Sequence, residues 1–132
     1  MTIKTISWFV GGYVQATPHE GADRFGAAQT YIMDRDYFPR SLRLYMDSAP
    51  VDKAVVLDIQ DDGVTIFRDW RSSDDILTQY PQVDKGTKRK ETGFFTADGE
   101  VKIEKDSVLT LEIRQSGSDA RNLTVELDLE EA

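Results

Sequence analysis

The stretch FPRSLRLYMDSAPVDKAVVLDIQDDGVTIF, from Phe38 to Phe67, decides the fold class. Leu42, Leu44 and Met46 alternate with Arg43 and Tyr45, and Val55, Leu57 and Ile59 alternate with Val56, Asp58 and Gln60. A period of two sends successive side chains to opposite faces, so each run reads as a strand with one dry face and one wet face. Asp62-Gly63 then supplies a hairpin turn, because a type I′ turn needs positive φ and Asp-Gly adopts it at little cost. A two-residue turn sets Ile59 opposite Ile66 or Val64, apolar against apolar, whereas an odd loop would set apolar against polar. Strands are therefore expected over Ser41–Asp47, Ala54–Gln60 and Val64–Phe67.

The same alternation recurs towards the C-terminus. Leu109, Leu111 and Ile113 alternate with Thr110, Glu112 and Arg114, and Leu123, Val125, Leu127 and Leu129 with Thr124, Glu126 and Asp128. Gln115–Asn122 connects these two strands. Asp98-Gly99 suggests a second hairpin, with Phe94–Thr96 against Val101–Glu104 and Phe94 across from Ile103. On the N-terminal side, Thr2–Ala16 reads as two short strands about a bulge or bend at Gly11-Gly12. Trp8 shares a core face with Ile6 and Val10, which leaves Phe9 facing the other way. A short strand is expected around Tyr31-Ile32. Pro39 has no N–H to give a central ladder, so it marks the start of the next strand.

Thr17–Gly26 reads as a polar loop or arm. Arg68–Thr92 is the least regular stretch: Ser73–Leu77 suggests one capped helical turn, and VDKGTKRKETG a charged loop. The count reaches about eight or nine short strands, with turns at the spacing of an antiparallel sandwich. The expected fold is all-β: a single antiparallel β-sandwich, jelly-roll-like, with an N-terminal extension. Residues 1–37 form the N-terminal strands and arm, and residues 38–132 the sandwich core.

A chain of 132 residues fits one domain. It can bury roughly two-thirds of its unfolded surface without a metal or a disulfide. The absence of cysteine excludes thiolate catalysis, cysteine-based zinc sites and a disulfide framework. A net charge of -8 and a pI near 4.6 oppose binding to phosphate backbones, so nucleic acid is not an expected partner. No apolar run approaches the ~20 residues of a membrane helix, and no membrane partner is expected. MTIKTISWFVGGYVQA lacks the basic start, long apolar stretch and cleavage site of a signal peptide, which points to a soluble, non-secreted domain.

The landmarks from Phe38 to Leu129 follow a recognisable order: Ala49-Pro50 and Asp52, Asp58-Ile59, Asp62-Gly63 and Thr65-Ile66-Phe67. Asp106-Ser107-Val108-Leu109-Thr110, Ser116-Gly117-Ser118 and Leu123-Thr124-Val125 complete it. In this order the chain resembles a small β-sandwich module common in virion structural proteins of tailed bacteriophages. Arg68–Thr92 departs from that pattern by lacking a short proline- and glycine-containing link, and the first 37 residues match no part of it. The module recurs in heads, fibres and tails. The resemblance implies a virion component assembled in the host bacterial cytoplasm, with other virion proteins, above all the major capsid protein, as partners.

Candidate sites are few. Asp58, Asp61 and Asp62 suggest calcium ligands, but the further acceptors and closing Glu of a calcium loop are absent, so turn chemistry and solvated edge charges are expected. Asp34 and Asp36 flank Arg35 and, two apart in an extended chain, point the same way, as a metal or acid/base pair would need. Arg35 and Arg40 are available to neutralise them, so a loop salt-bridge cluster is expected. His19 is the sole histidine, with no nucleophile and acid placed to converge on it. No G-x-S-x-G, P-loop or dinucleotide fingerprint occurs, so neither catalysis nor a cofactor or metal is expected.

The expected partner-contact residues are Trp70, Arg71 and Tyr80, the basic cluster Lys85, Lys88, Arg89 and Lys90, and Phe9. Concentrated like charges on an acidic chain suit docking against an acidic patch, and aromatics anchor interfaces. The expected function is that of an accessory capsid protein, decorating or cementing the head as a homo-oligomer such as a trimer. The alternatives are a host-recognition or glycan-binding module on a tail or fibre, with Trp70 as stacking platform, and a tail or neck adaptor.

Overall fold

The computed structural model describes residues 3–16, 29–67, 80–93 and 101–132. Among these residues every regular element is a strand: β1 (Ile3–Tyr13), β2 (Thr30–Ile32), β3 (Tyr37–Tyr45), β4 (Val55–Asp61), β5 (Val64–Thr65), β6 (Gln82–Val83), β7 (Arg89–Gly93), β8 (Val108–Gln115) and β9 (Arg121–Glu131). One sheet has the order β1-β9-β3-β7 and the other β2-β8-β4-β5, with β6 also paired to β4.

This order has a simple origin. The two halves of the chain pair as one antiparallel ribbon: β1 with β9, β2 with β8, β3 with β7, and β4 with β5 and β6. Rolling the ribbon adds the pairs β3–β9 and β4–β8 and divides the strands between two sheets. A rolled antiparallel ribbon is a jelly roll, a β-sandwich. Here the chain passes from sheet to sheet at every connection except those joining β4, β5 and β6, which share one sheet.

The core lies between the sheets and is set by the pleat. Leu123, Val125, Leu127 and Leu129 of β9 all point inward and are buried, as are Leu42 and Leu44 of β3 and Ile6, Trp8 and Val10 of β1. The facing sheet contributes Val55, Leu57 and Ile59 of β4 and Leu109, Leu111 and Ile113 of β8. Trp8 is fully buried, with its indole N–H given to the Gln29 carbonyl at 3.0 Å and its ring edge-on to Tyr31 at 5.3 Å.

The Asp62-Gly63 turn has two residues, both at positive φ (49° and 85°), and Asp61 pairs with Val64. Ile66 then donates to the Ile59 carbonyl at 3.0 Å, the apolar pairing that the two-residue turn requires. Ile66 and Phe67 are buried although the regular strand ends at Thr65.

Four expectations change. Residues 3–13 form one strand rather than two, because the irregularity between Val10 and Tyr13 is absorbed as a bulge, with Gly12 at φ 75° giving its N–H to Asn122. Pro39 lies inside β3 instead of at its start. It sits where β3 meets β9 but β7 has not begun, and the register shifts between Pro39 and Ser41. Val101–Glu104 makes a single bridge, Ile103 with Tyr37, rather than a strand. VDKGTKRKETG is not all loop: it holds Val83 of β6, a turn at Gly86 and then β7. The expected Phe94–Thr96 strand and the Ser73–Leu77 turn lie outside the described residues.

One glycine is fixed by close approach. A Cβ on Gly117 would lie 2.1 Å from the Lys53 carbonyl oxygen and 2.7 Å from the Pro50 Cβ, both on a neighbouring loop. Gly117→Ala is expected to lower unfolding free energy by about 1–3 kcal/mol through forced backbone movement. Leu44→Ala, which removes a fully buried side chain, is expected to cost about 2–5 kcal/mol. Denaturant midpoints read both, and a neutral Gly117→Ala would show that the loop yields freely.

Candidate functional surface

Strand pairing places the outward side chains of the β1-β9-β3-β7 sheet in rows. Thr5, Asp128 and Ser41 form one row, and Ser7, Glu126, Arg43 and Glu91 the next. Asp128 is the hub. It accepts both guanidinium nitrogens of Arg43 (2.6 and 3.0 Å), the Thr5 hydroxyl at 2.6 Å and the Ser41 hydroxyl. The Arg43 bonds, aided by Ser41 and Thr5, outweigh partial burial and hold the Asp128 carboxyl well below the usual carboxylate range. Arg43 also reaches Glu126 at 3.4 Å, Arg40 pairs with Glu130, and Arg89 pairs with Glu91. The middle of this face is thus occupied with its own partners.

The third row differs. Phe9, Thr124, Tyr45 and Arg89 follow one another across all four strands. The structure brings together two of the expected contact residues, Phe9 and Arg89, about 14 Å apart at the usual strand spacing. The Arg89 guanidinium lies 5.3 Å from the Tyr45 ring centre. Phe9 is 53% exposed, and further along β1 Tyr13 is 61% exposed with the Arg121 guanidinium 5.6 Å from its ring centre. Val14 and Ala120 are buried, so Tyr13 and Arg121 turn outward together. Tyr45 and Arg121 were not singled out from the sequence, and Tyr13, an aromatic of interest there, was given no partner role. For Tyr13 the signal is the absence of any Asp, Glu, Lys or Arg from Thr5 to Ala16 in a chain that is 30% charged.

The basic cluster divides. Lys85 and Lys88 lie on the exposed turn before β7, which is tied down by Gly86 N–H to the Pro50 carbonyl and Met46 N–H to the Lys88 carbonyl, both 2.7 Å. Arg89 and Lys90 belong to β7, an edge strand of its sheet. Lys90 is paired opposite the buried Leu44 and so shares its inward side, a device that discourages edge-to-edge pairing. These four residues therefore do not form one mobile basic loop. Trp70, Arg71 and His19 lie outside the described residues.

On the outer face of the second sheet Asp58 stands directly opposite Glu112. The Gln60 amide donates to both, at 3.2 and 2.9 Å, and the Thr65 hydroxyl donates to Asp58. Asp58 is only 1% exposed, which corrects the expectation of a solvated edge charge. Burial is the main cause that pushes its carboxyl above the ordinary value, with Glu112 adding to it. Glu112 in turn binds Arg114 at 3.1 Å, and Arg114 lies over Tyr80 at 4.4 Å, which makes Tyr80 half-buried rather than a free anchor. Asp62 is exposed but accepts the Val108 N–H at 2.9 Å.

Asp34 and Asp36 diverge. Asp34 accepts the Tyr37 hydroxyl at 2.6 Å, which with Lys4 lowers its pKa. Asp36 accepts the Lys105 N–H at 2.8 Å, which with Lys102 lowers its own. Arg35 and Arg40 instead reach Glu131 and Glu130 on β9. The cluster is one of ion pairs, with different partners from those expected. Among the described residues no three His, Asp or Glu side chains group as a metal site would require.

No protein-family model matches the sequence, and no curated protein matches it. Among solved structures, a chain of the Israeli acute paralysis virus full particle heated to 63 degrees is similar with a TM-score of 0.31. The identity is 10%, over 96% of this chain and 68% of that chain. A likeness of this size bears on neither partners nor activity.

Asp128 and Asp58, each on the outward face of its sheet, have opposite pH signatures. Asp128 titrates lower folded than unfolded, so its contribution is present above the ordinary carboxylate range and lost as pH falls through the folded value. Asp58 titrates higher folded than unfolded, so its contribution is present in acid and lost as pH rises through the folded value. Denaturant unfolding across acid to neutral pH is expected to show Asp128→Asn flattening the acid limb and Asp58→Asn flattening the limb above it. A single effect common to both variants would refute the assignment.

Proposed function

We propose that this protein is a non-enzymatic structural component of a virion, an accessory capsid protein that decorates and reinforces the head. The observation that carries the interaction reading is the distribution of satisfied and unsatisfied surface. The outward polar groups at the centre of both sheets are bonded to one another, whereas Phe9, Tyr13 and Arg121 at one end of a sheet stand exposed. Such a surface offers contacts rather than a reaction centre, and aromatic and arginine side chains dominate binding energy at interfaces. The virion assignment is supported by the resemblance of residues 38–129 to the phage module. In this role the rigid sandwich presents end loops and exposed strand faces across subunit boundaries, with the major capsid protein as the partner. An interface near the usual ~800 Å² per partner, repeated by particle symmetry, adds to shell stability.

Electron microscopy of the intact particle tests this reading. Density for the sandwich is expected on the outside of the head, and its absence from the head would refute the decoration role. Lys85→Glu with Lys88→Glu, on the exposed turn, is expected to reduce occupancy on the head while leaving the melting temperature unchanged, as loss of electrostatic docking requires.

A further inference from the structure

We propose that the outward side of β1 around Phe9 and Tyr13 is a self-association surface, on which a second copy of this chain docks about a two-fold axis. Three independent observations lead there. Two of the large exposed apolar side chains, Phe9 and Tyr13, lie on the same strand, four residues apart, with two glycines between them that leave the space open. Nothing lies within 4 Å of a Cβ built at Gly12, and the Phe9 ring rests against Gly11.

The second observation is electrostatic. Among the described arginines, Arg35, Arg40, Arg43, Arg89 and Arg114 each hold a carboxylate. Arg121 does not; it lies over Tyr13 with its guanidinium exposed. A guanidinium parked on an aromatic ring keeps its planar fork of donors available for a carboxylate brought by a partner.

The third observation says who the partner is. The chain carries a net charge of -8, so two copies repel over most approaches. From Thr5 to Ala16 there is no charged side chain, and β1 is therefore where they meet without opposed like charges. The rim beside it carries both signs, with Arg121 and the exposed Asp119 two residues apart. A patch with an uncharged aromatic centre and both signs at its rim is complementary to itself, as an isologous contact demands. Under the two-fold, Arg121 of each copy meets Asp119 of the other while Phe9 and Tyr13 pack in the middle.

The contact is made by side chains and not by lengthening the sheet. The Tyr31 hydroxyl already donates to the Ser7 carbonyl of β1, which blunts that strand as a ladder template. The inference stands apart from the virion reading: a chain that decorates a head as a monomer would refute the interface and leave that reading intact.

Sedimentation velocity of the full chain over a wide concentration range decides it. A monomer–dimer equilibrium is expected for the unaltered chain. The double variant Phe9→Ser, Tyr13→Ser is expected to weaken association by roughly thirty-fold, the loss typical of truncated aromatic anchors. Arg121→Asp is expected to weaken it too, and the exchanged pair Arg121→Asp, Asp119→Arg to restore it. Thermal melting checks that each variant is folded, and the two rim positions, both exposed, keep the test sound if the aromatic variant is not. A chain that stays monomeric throughout, or a dimer indifferent to the rim variants, would overturn the proposal.

Discussion

Strand β9 has to satisfy two environments at once, and the rest of the sandwich is arranged around that demand. It lies between β1 and β3, so both of its hydrogen-bonding edges are used. Its inward side chains, Leu123 to Leu129 at every second position, are buried, and its outward ones between them are Thr124, Glu126, Asp128 and Glu130. A one-residue slip would exchange the two sets, placing carboxylates in the gap between sheets and leucines in water. The register of three strands is thus fixed by one alternating sequence.

The outward face reinforces that choice. Asp128 on β9 collects Arg43 and Ser41 from β3 and Thr5 from β1, so its bonds join all three strands on the solvent side. At a half-exposed surface the ion pair by itself contributes modestly. Its larger effect is on uniqueness, because a planar guanidinium meeting both carboxylate oxygens is satisfied in one register only. Asp58 shows the reverse situation. It is buried against Glu112 and kept in place by the Gln60 amide and the Thr65 hydroxyl, an arrangement that specifies local geometry while adding little net stability.

The strands facing the core were legible because period-two alternation is a direct consequence of one-sided burial, and β8 and β9 show it clearly, β4 with the exception of the buried Asp58. The Asp62-Gly63 turn was legible for a local reason, since two successive positive φ values admit few residue pairs. β7 was not, because an edge strand need not alternate: Arg89-Lys90-Glu91 is charged throughout and derives its conformation from pairing with β3. The burial of Asp58 was hidden as well, since an Asp beside Asp-Gly reads as turn chemistry until the facing strand is known. Phe9 was found from strand parity. Tyr45 and Arg121 required strand pairing, which brings Tyr45 into the Phe9 row and Arg121 beside Tyr13 although 36 and 108 residues separate these pairs.

The division of labour across the surface follows from this construction. A rolled ribbon places its regular faces in the middle and its connections at the two ends, so side chains in the middle meet neighbours from three strands and find partners there. Side chains at a sheet's end meet fewer. The bulge at Gly12 and the positive φ of Asn122 bend β1 and β9 away from ideal pleating where Tyr13 and Arg121 emerge. Tyr13 keeps the outward parity of Phe9, whereas Arg121, which a regular pleat would turn inward with Leu123, is re-aimed outward at the irregularity, next to the long uncharged stretch of the chain's first strand. Exposure of aromatic surface there costs solubility and contributes nothing to folding. It is the kind of local disagreement with the packing rules that accompanies a binding surface.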